Sequence, residues 1–187
     1  MKNVMILGAP GSGKGTQGKL LAEHLKIPQV STGELLRAAV KAKTALGTKA
    51  KGFMDKGLLV PDEIIFGLIQ EILDSPPAKQ GVLMDGFPRT VPQAEAVDRM
   101  LKAKGAGVDR VLVLDVDEKE LVERLLARAA KEGRSDDNLE SIKQRLEVYH
   151  KQTAPLIKFY EKRGVVKKVA GSGSVEQISG RMKTAAA

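Results

Sequence analysis

Cysteine and tryptophan are absent from the 187 residues, aromatic side chains make up 3% of them, and there are two histidines. The lack of cysteine excludes disulfides and thiolate metal sites, so zinc held by thiolates is ruled out, and a reducing compartment, the cytoplasm, is the expected home. The scarcity of aromatics leaves little with which to stack unpaired bases. A formal net charge of +8 and a pI near 9.6 call for anionic partners, but the basic residues are spread along the chain and not gathered in a tail. Small phosphorylated ligands fit that pattern better than nucleic acid does. No apolar run is long enough to span a bilayer, and the N-terminus carries no apolar core ending in a cleavage signal, so a soluble protein without a membrane partner is expected. His24 and His150 sit in helical patterns far apart in sequence and take no assigned chemical task.

What is present is a core. At 42% hydrophobic residues the chain can bury one globular domain. Short apolar runs at 3–7, 82–84 (ending at Asp85), 111–116 and 165–169 read as buried strands, and 27–30 as a weaker fifth. Helical spacing lies between them, which implies an α/β fold with a parallel sheet covered on both faces. The segment 14–25 is helical. Ser31 with Glu34 has the spacing of a capping box, and Asp117 with Glu120 and Asp137 with Glu140 repeat it with aspartate. The longest helix is expected over 138–162, its apolar face carried by Ile142, Leu146, Tyr149, Thr153, Leu156 and Tyr160, with a kink at Pro155. The alanines at 185–187 are expected to fray.

The chemistry opens at Gly8-Ala9-Pro10-Gly11-Ser12-Gly13-Lys14-Gly15-Thr16, between the first strand and the first helix. Glycines let successive backbone amides turn inward on phosphates, the helix N-terminus adds partial positive charge, and Lys14 reaches the outer phosphates. The general motif has Ser or Thr directly after the lysine, whereas here Gly15 intervenes before Thr16. That loop is expected to bind a nucleoside triphosphate.

The Gly-Lys-Gly-Thr ending resembles the loop of adenylate kinases, and further segments agree with that family in order and spacing. They are Ser31-Thr32-Gly33-Glu34-Leu35-Leu36-Arg37, Gly57-Leu58-Leu59-Val60-Pro61-Asp62-Glu63, Asp85-Gly86-Phe87-Pro88-Arg89-Thr90 with Gln93, and Gly133-Arg134-Ser135-Asp136-Asp137-Asn138 with Arg145. The resemblance implies a P-loop three-layer sandwich with a five-stranded parallel sheet in the order 2-3-1-4-5. It implies a core at 1–30, 61–126 and 138–187, a helical monophosphate-binding insertion at 31–60, and a short lid at 127–137. With five residues between Arg128 and Arg134, the lid is expected to be a loop without room for a hairpin or a zinc site. Insertion and lid are expected to close over bound nucleotides and exclude water.

The implied reaction is reversible transfer from MgATP to AMP, giving two ADP. Gly11, Ser12, Gly13, Lys14, Gly15, Thr16, Arg124, Arg128 and Gly173 are then expected on ATP. Thr32, Arg37, Leu58, Leu59, Val60, Gly86, Phe87, Pro88, Arg89, Gln93, Arg134 and Arg145 are expected on AMP. Lys14, Arg89, Arg124, Arg134 and Arg145 would act on the transferring group, and Asp85 would orient water on magnesium, with no zinc. Asp136 and Asp137 anchor Arg134 or cap the long helix in this reading. Charge explains the arginines independently. Phosphoryl transfer between two nucleotides crowds negative oxygens together, and six of the ten arginines fall in or beside these segments. No general base is required, because the acceptor phosphate is already ionised at neutral pH. Thr32 resembles the residue of the adenine-specific members, and Gln93, where uridine and cytidine monophosphate kinases commonly carry asparagine, can pair with adenine's edge because an amide presents both a donor and an acceptor; the resemblance thus implies AMP as the acceptor. A nucleotide-dependent switch or nucleic-acid module is the alternative from another class. ATP, AMP and ADP are the expected partners of a monomer.

Overall fold

The computed structural model describes residues 2–132 and 137–187. The strands are β1 (Val4–Gly8), β2 (Gln29–Ser31), β3 (Leu83–Asp85), β4 (Arg110–Asp115) and β5 (Val166–Ala170). All pair in parallel, in the order β2-β3-β1-β4-β5 that the resemblance implied. The helices are α1 (Lys14–Leu25), α2 (Thr32–Lys41), α3 (Ala45–Asp55), α4 (Asp62–Asp74), α5 (Val91–Lys102), α6 (Glu118–Glu132), α7 (Leu139–Val148), α8 (Pro155–Glu161) and α9 (Val175–Ala186). Each strand lies within two residues of its expected position.

Alternation along the strands divides the core between two faces. Met5 and Leu7 point with Met84, Val111 and Val113 toward Ile65 and Ile69 of α4, Val97 and Leu101 of α5, and Leu156 and Tyr160 of α8. Val4 and Ile6 point the other way with Leu83, Leu112 and Leu114, onto Leu21 of α1 and Ile178 and Met182 of α9. The outer strand β5 exposes Lys167 and Lys168, charges that discourage pairing with another sheet edge. Ala186 is fully buried in the second cluster with Ala185 packed against it, so the alanine end is docked where fraying was expected.

The expected long helix is divided. Between α7 and α8, residues Tyr149–Thr153 form a π turn, closed by Ala154 N–H donating to the Tyr149 carbonyl at 2.8 Å. Pro155 thus opens a new helical segment at its first turn, where a missing N–H costs no intrahelical bond. The apolar stripe survives, with Ile142, Leu146, Thr153, Leu156 and Tyr160 all buried.

The caps also differ from expectation. Ser31 stands at the N-cap of α2 without a side-chain cap bond. Asn138, not Asp137, caps α7, its side chain accepting from Ser141 N–H at 2.9 Å. Asp117 accepts from Lys119 N–H ahead of α6. A complete capping box occurs at Ser174 and Gln177 of α9 instead.

Register positions the site. Ile6 lies beside Asp85, so the loop leaving β1 emerges next to the carboxyl end of β3, where open α/β sheets bind ligands. Above it, Ala9 packs with Leu121 and Leu125 of α6 and Ile142 and Leu146 of α7 in a third apolar cluster.

Candidate active site

Three glycines give the loop after β1 its path. Gly11 and Gly13 have φ of +85° and +90°, and a Cβ on Gly11 would meet the Leu121 carbonyl at 2.8 Å and Leu125 Cγ at 3.0 Å. A Cβ on Gly8 would be as crowded, meeting the Leu114 carbonyl at 2.9 Å. A side chain at Gly11 would therefore push the loop off α6. Ser12 turns inward, 1% exposed, while Gly11, Gly13, Lys14, Gly15 and Thr16 line a cavity of about 770 Å³.

Lys14 lies across this loop, its Nζ donating to the Gly8 carbonyl at 2.7 Å and the Ala9 carbonyl at 2.8 Å. Burial is the main cause that lowers its pKa to about 8; nearby Asp85 works against that, while Arg89, Arg145 and Arg128 add to it. Arg89 is lowered to about 10, again mainly by burial and by Arg145, and stays charged at neutral pH. This is a pocket in which cations crowd one another.

Arg124, Arg128 and Arg145 reach the same cavity. Arg124 is held by Glu120 at 2.5 Å and donates to the Gly171 carbonyl at 2.9 Å, which ties α6 to the loop after β5. Arg128 and Arg145 converge on one carboxylate. Arg128 Nε and Nη2 donate to the two oxygens of Asp137 at 2.6 and 2.8 Å, and Arg145 Nη1 donates to Asp137 Oδ1 at 2.6 Å. Asp137 is 1% exposed. Burial alone would raise its pKa, but the two guanidiniums outweigh that and hold it below the usual carboxylate range. It fixes two cations, a task the sequence did not reveal; the expected anchoring of Arg134 lies outside the described residues, and Asn138 takes the cap.

A second, smaller cavity of about 70 Å³ opens between the sheet and the helices α2 and α3. Thr32, Leu58, Leu59, Val60, Phe87 and Gln93 line it, and Thr32 Oγ1 donates to the Gly86 carbonyl at 2.9 Å. Pro88, joined to Phe87 by a cis peptide, faces the larger cavity. Gly86 has φ +75°, and its carbonyl also accepts from Arg89 Nε at 2.7 Å. The π turn adds to this wall: Thr153 Oγ1 donates to the Arg89 carbonyl at 2.9 Å. Arg37, Arg89 and Arg145 border both cavities. A group passing from one cavity to the other would thus pass between guanidiniums.

The adenylate kinase family model matches residues 6–165. The chain is 51% identical to an adenylate kinase of Parabacteroides distasonis over 99% of this chain and 97% of the relative. It is 50% identical to those of Leptospira biflexa (96% of each chain) and Thermobifida fusca (97% of this chain, 96% of the relative). The chain belongs to the adenylate kinase family. It is an enzyme, a nucleoside monophosphate kinase with adenylate kinase function.

Arg134 and Asp136 lie outside the described residues. Gly173 does not line the larger cavity; Val175 does, while Arg181 holds the Gly171–Gly173 loop by donating to the Ala170 carbonyl at 2.7 Å and the Ser172 carbonyl at 2.5 Å. The segment after Arg128, expected as loop, continues α6 as helix to Glu132, in keeping with its Ala-Ala-Lys-Glu composition. Gln29, which stands in no sequence motif, also belongs to the site. Its Nε2 donates to the Gly15 carbonyl at 3.3 Å and to Asp85 Oδ2 at 3.5 Å, linking the phosphate loop's helix to Asp85. Its strand is three residues long, too short for pattern to reveal which way it points.

Proposed function

We propose that this adenylate kinase carries out ATP + AMP = 2 ADP with ATP along the loop of Gly11 to Thr16 and AMP in the smaller cavity. The observation that carries the assignment is the shared wall of Arg37, Arg89 and Arg145 between the two cavities. Two nucleotides meeting phosphate to phosphate need cations at their junction, since catalysis consists of alignment and neutralisation of the equatorial oxygens. Lys14 leaves the loop carbonyls for the outer phosphates of ATP, Arg124 and Arg128 hold the ATP phosphates, and Arg89 with Arg145 grips the acceptor phosphate and the transferring group. Arg134 would join them on the acceptor side. Thr32 and Gln93 meet the adenine of AMP, with Leu58, Leu59, Val60, Gly86, Phe87 and Pro88 completing its pocket, and Gly173 contributes through the loop beside the ATP base.

The donor set around Asp85 fits magnesium bound chiefly to ATP. One carboxylate stands at the end of β3, with Gly15 beside it, and magnesium characteristically takes one or two protein carboxylates plus substrate phosphates. Asp85 would hold it through water, and the ion would supply charge neutralisation on the β- and γ-oxygens. Closure of 31–60 and 127–137 over the core 1–30, 61–126 and 138–187 would exclude water. The family setting supports a cytoplasmic monomer that handles free nucleotides; no helix among the described residues is long and apolar enough to cross a membrane.

Acceptor specificity is tested with purified enzyme, MgATP and AMP, dAMP, UMP or CMP. The expected order places AMP first by kcat/KM, with UMP lower by at least about 100-fold, because an amide matched to adenine meets the N3–H and 4-oxygen of uracil in the wrong polarity, and with CMP lower because its single ring, though of matching polarity, is too short for a pocket sized to a purine. A higher kcat/KM for UMP or CMP would transfer the enzyme to the pyrimidine class.

The depressed pKa of Lys14 gives a second expected result. Lys14 titrates near 8 in the free enzyme, and the triphosphate must raise it, so ATP binding takes up a proton wherever the free lysine is neutral and the bound one charged. Uptake should be about 0.1 proton at pH 7 and about 0.9 at pH 9, with ATP affinity falling as pH rises above 8. Calorimetry in buffers of different ionisation enthalpy measures it. Equal uptake by Lys14→Ala at pH 9 would remove Lys14 as its source.

A further inference from the structure

Gln93 reads the acceptor base in the function proposed above, and the inference made here rests on that reading. An amide can face a base in two polarities. With Nε2 toward N1 and Oε1 toward the 6-position it matches adenine, whose N1 accepts and whose 6-amino group donates. Rotated by half a turn it matches a 6-oxopurine, whose N1–H donates and whose 6-oxygen accepts. Nothing in glutamine itself selects between them.

The selection comes from behind the pocket. Gln93 is 2% exposed on α5, and both ends of its amide are engaged. Oε1 accepts from the backbone N–H of Arg89 at 2.7 Å, and Nε2 donates to Asp62 Oδ1 at 2.6 Å. A backbone N–H can only donate and a carboxylate can only accept, so the two partners define which end is oxygen and which is nitrogen. Each end retains one further capacity, a proton on Nε2 and a lone pair on Oε1, for the base in the cavity. We infer that Asp62 is a specificity-determining positioning residue, which locks the Gln93 amide in the polarity that accepts adenine and rejects 6-oxopurines. Asp62 stands at the first turn of α4 and does not line the cavity, so it acts through Gln93 alone.

Flipping the amide in the native enzyme sets Nε2 against the Arg89 N–H and Oε1 against a carboxylate, losing two bonds, one of them charge-assisted. In Asp62→Asn the new side chain can turn its own amide to donate to a flipped Gln93, so only the Arg89 N–H still opposes the flip. The test compares kcat/KM for AMP and for inosine monophosphate, with MgATP as donor, in the native enzyme, Asp62→Asn, Asp62→Ala and Asp62→Glu. The AMP-to-inosine-monophosphate ratio is expected to fall about tenfold in Asp62→Asn, and to fall in Asp62→Ala, with KM for ATP unchanged. Asp62→Glu keeps an acceptor and should retain most of the ratio. A change in α4 alone would alter the melting temperature and leave the ratio in place. If the ratio stays native in both Asp62→Asn and Asp62→Ala, the inference is overturned. Gln93→Ala separates the two levels: native KM for AMP in that variant would sink the reading of Gln93 itself. A raised KM for AMP there, with a native ratio in the Asp62 variants, would sink only the role of Asp62.

Discussion

Lys14→Ala is expected to lose about 10²–10³-fold in kcat while keeping its fold, because one charge-bearing donor aimed at the transferring group has an effect of that size. In the free enzyme two opposing effects at Lys14 keep the fold intact. Lys14 makes two hydrogen bonds to loop carbonyls, worth about 1 kcal/mol each. Against them stands the cost of holding a buried ammonium among arginines, evident in its lowered pKa. That cost is present below the folded pKa near 8, where the lysine is charged in both states, and fades as pH rises toward the unfolded value. The two effects are of similar size, so Lys14→Ala should remain within about 1–2 kcal/mol of the native stability at pH 7. Circular dichroism and steady-state assays decide the matter together: lost turnover with a native melting curve is expected, and near-normal turnover would remove Lys14 from the transfer step.

Asp137→Ala should do the opposite, damaging stability as well as function. Asp137 is the acceptor for both Arg128 and Arg145, and the two arginine side chains are 26% and 19% exposed. Removing the carboxylate takes away the charge-assisted bonds that both guanidiniums make to it. Partial access to water softens the cost, so a loss of about 2–3 kcal/mol is expected in urea unfolding at pH 7. The sign with pH follows from the depressed Asp137 pKa. Its stabilisation is fully present above the unfolded carboxylate value, about 3.9, and disappears as pH falls through the lower folded value. The gap between native and Asp137→Ala enzyme should therefore hold from pH 7 down to about 4 and narrow only below it. Kinetically, loss of the anchor the two arginines share costs alignment, and KM for both nucleotides should rise by about tenfold. Asn138→Ala is the comparison, since it removes the α7 cap, about 1 kcal/mol, and leaves the Asp137 carboxylate in place for both arginines. Equal losses in the two variants would contradict the anchoring role of Asp137.

These two residues mark how far the sequence could be read. Lys14 stands in a local motif whose meaning is complete within nine residues, and the same holds for the apolar strands, whose alternation assigns Met5 and Leu7 to one face and Val4 and Ile6 to the other. The lining of the smaller cavity was legible for the same reason, as Thr32, Leu58 to Val60, Phe87 and Gln93 lie in recognisable segments. Asp137 was legible only as an acidic residue near a helix start, because its partners are brought in by α6 and α7 packing around Leu125 and Ile142. Asp62 carried no sequence signal beyond its segment, since its partner Gln93 is thirty-one positions away. The π turn before Pro155 escaped the periodic pattern because a stripe of alternating threes and fours reads alike through one widened turn.

The central claim is that both nucleotides occupy one site and exchange a phosphoryl group directly. It is tested by counting ADP formed per ATP consumed, by chromatography of nucleotides after incubation with magnesium, with and without AMP. Two ADP per ATP, strictly dependent on AMP and with no inorganic phosphate released, is the predicted result. One ADP per ATP with phosphate released, at a rate indifferent to AMP, would mean that the loop serves hydrolysis and would contradict the account.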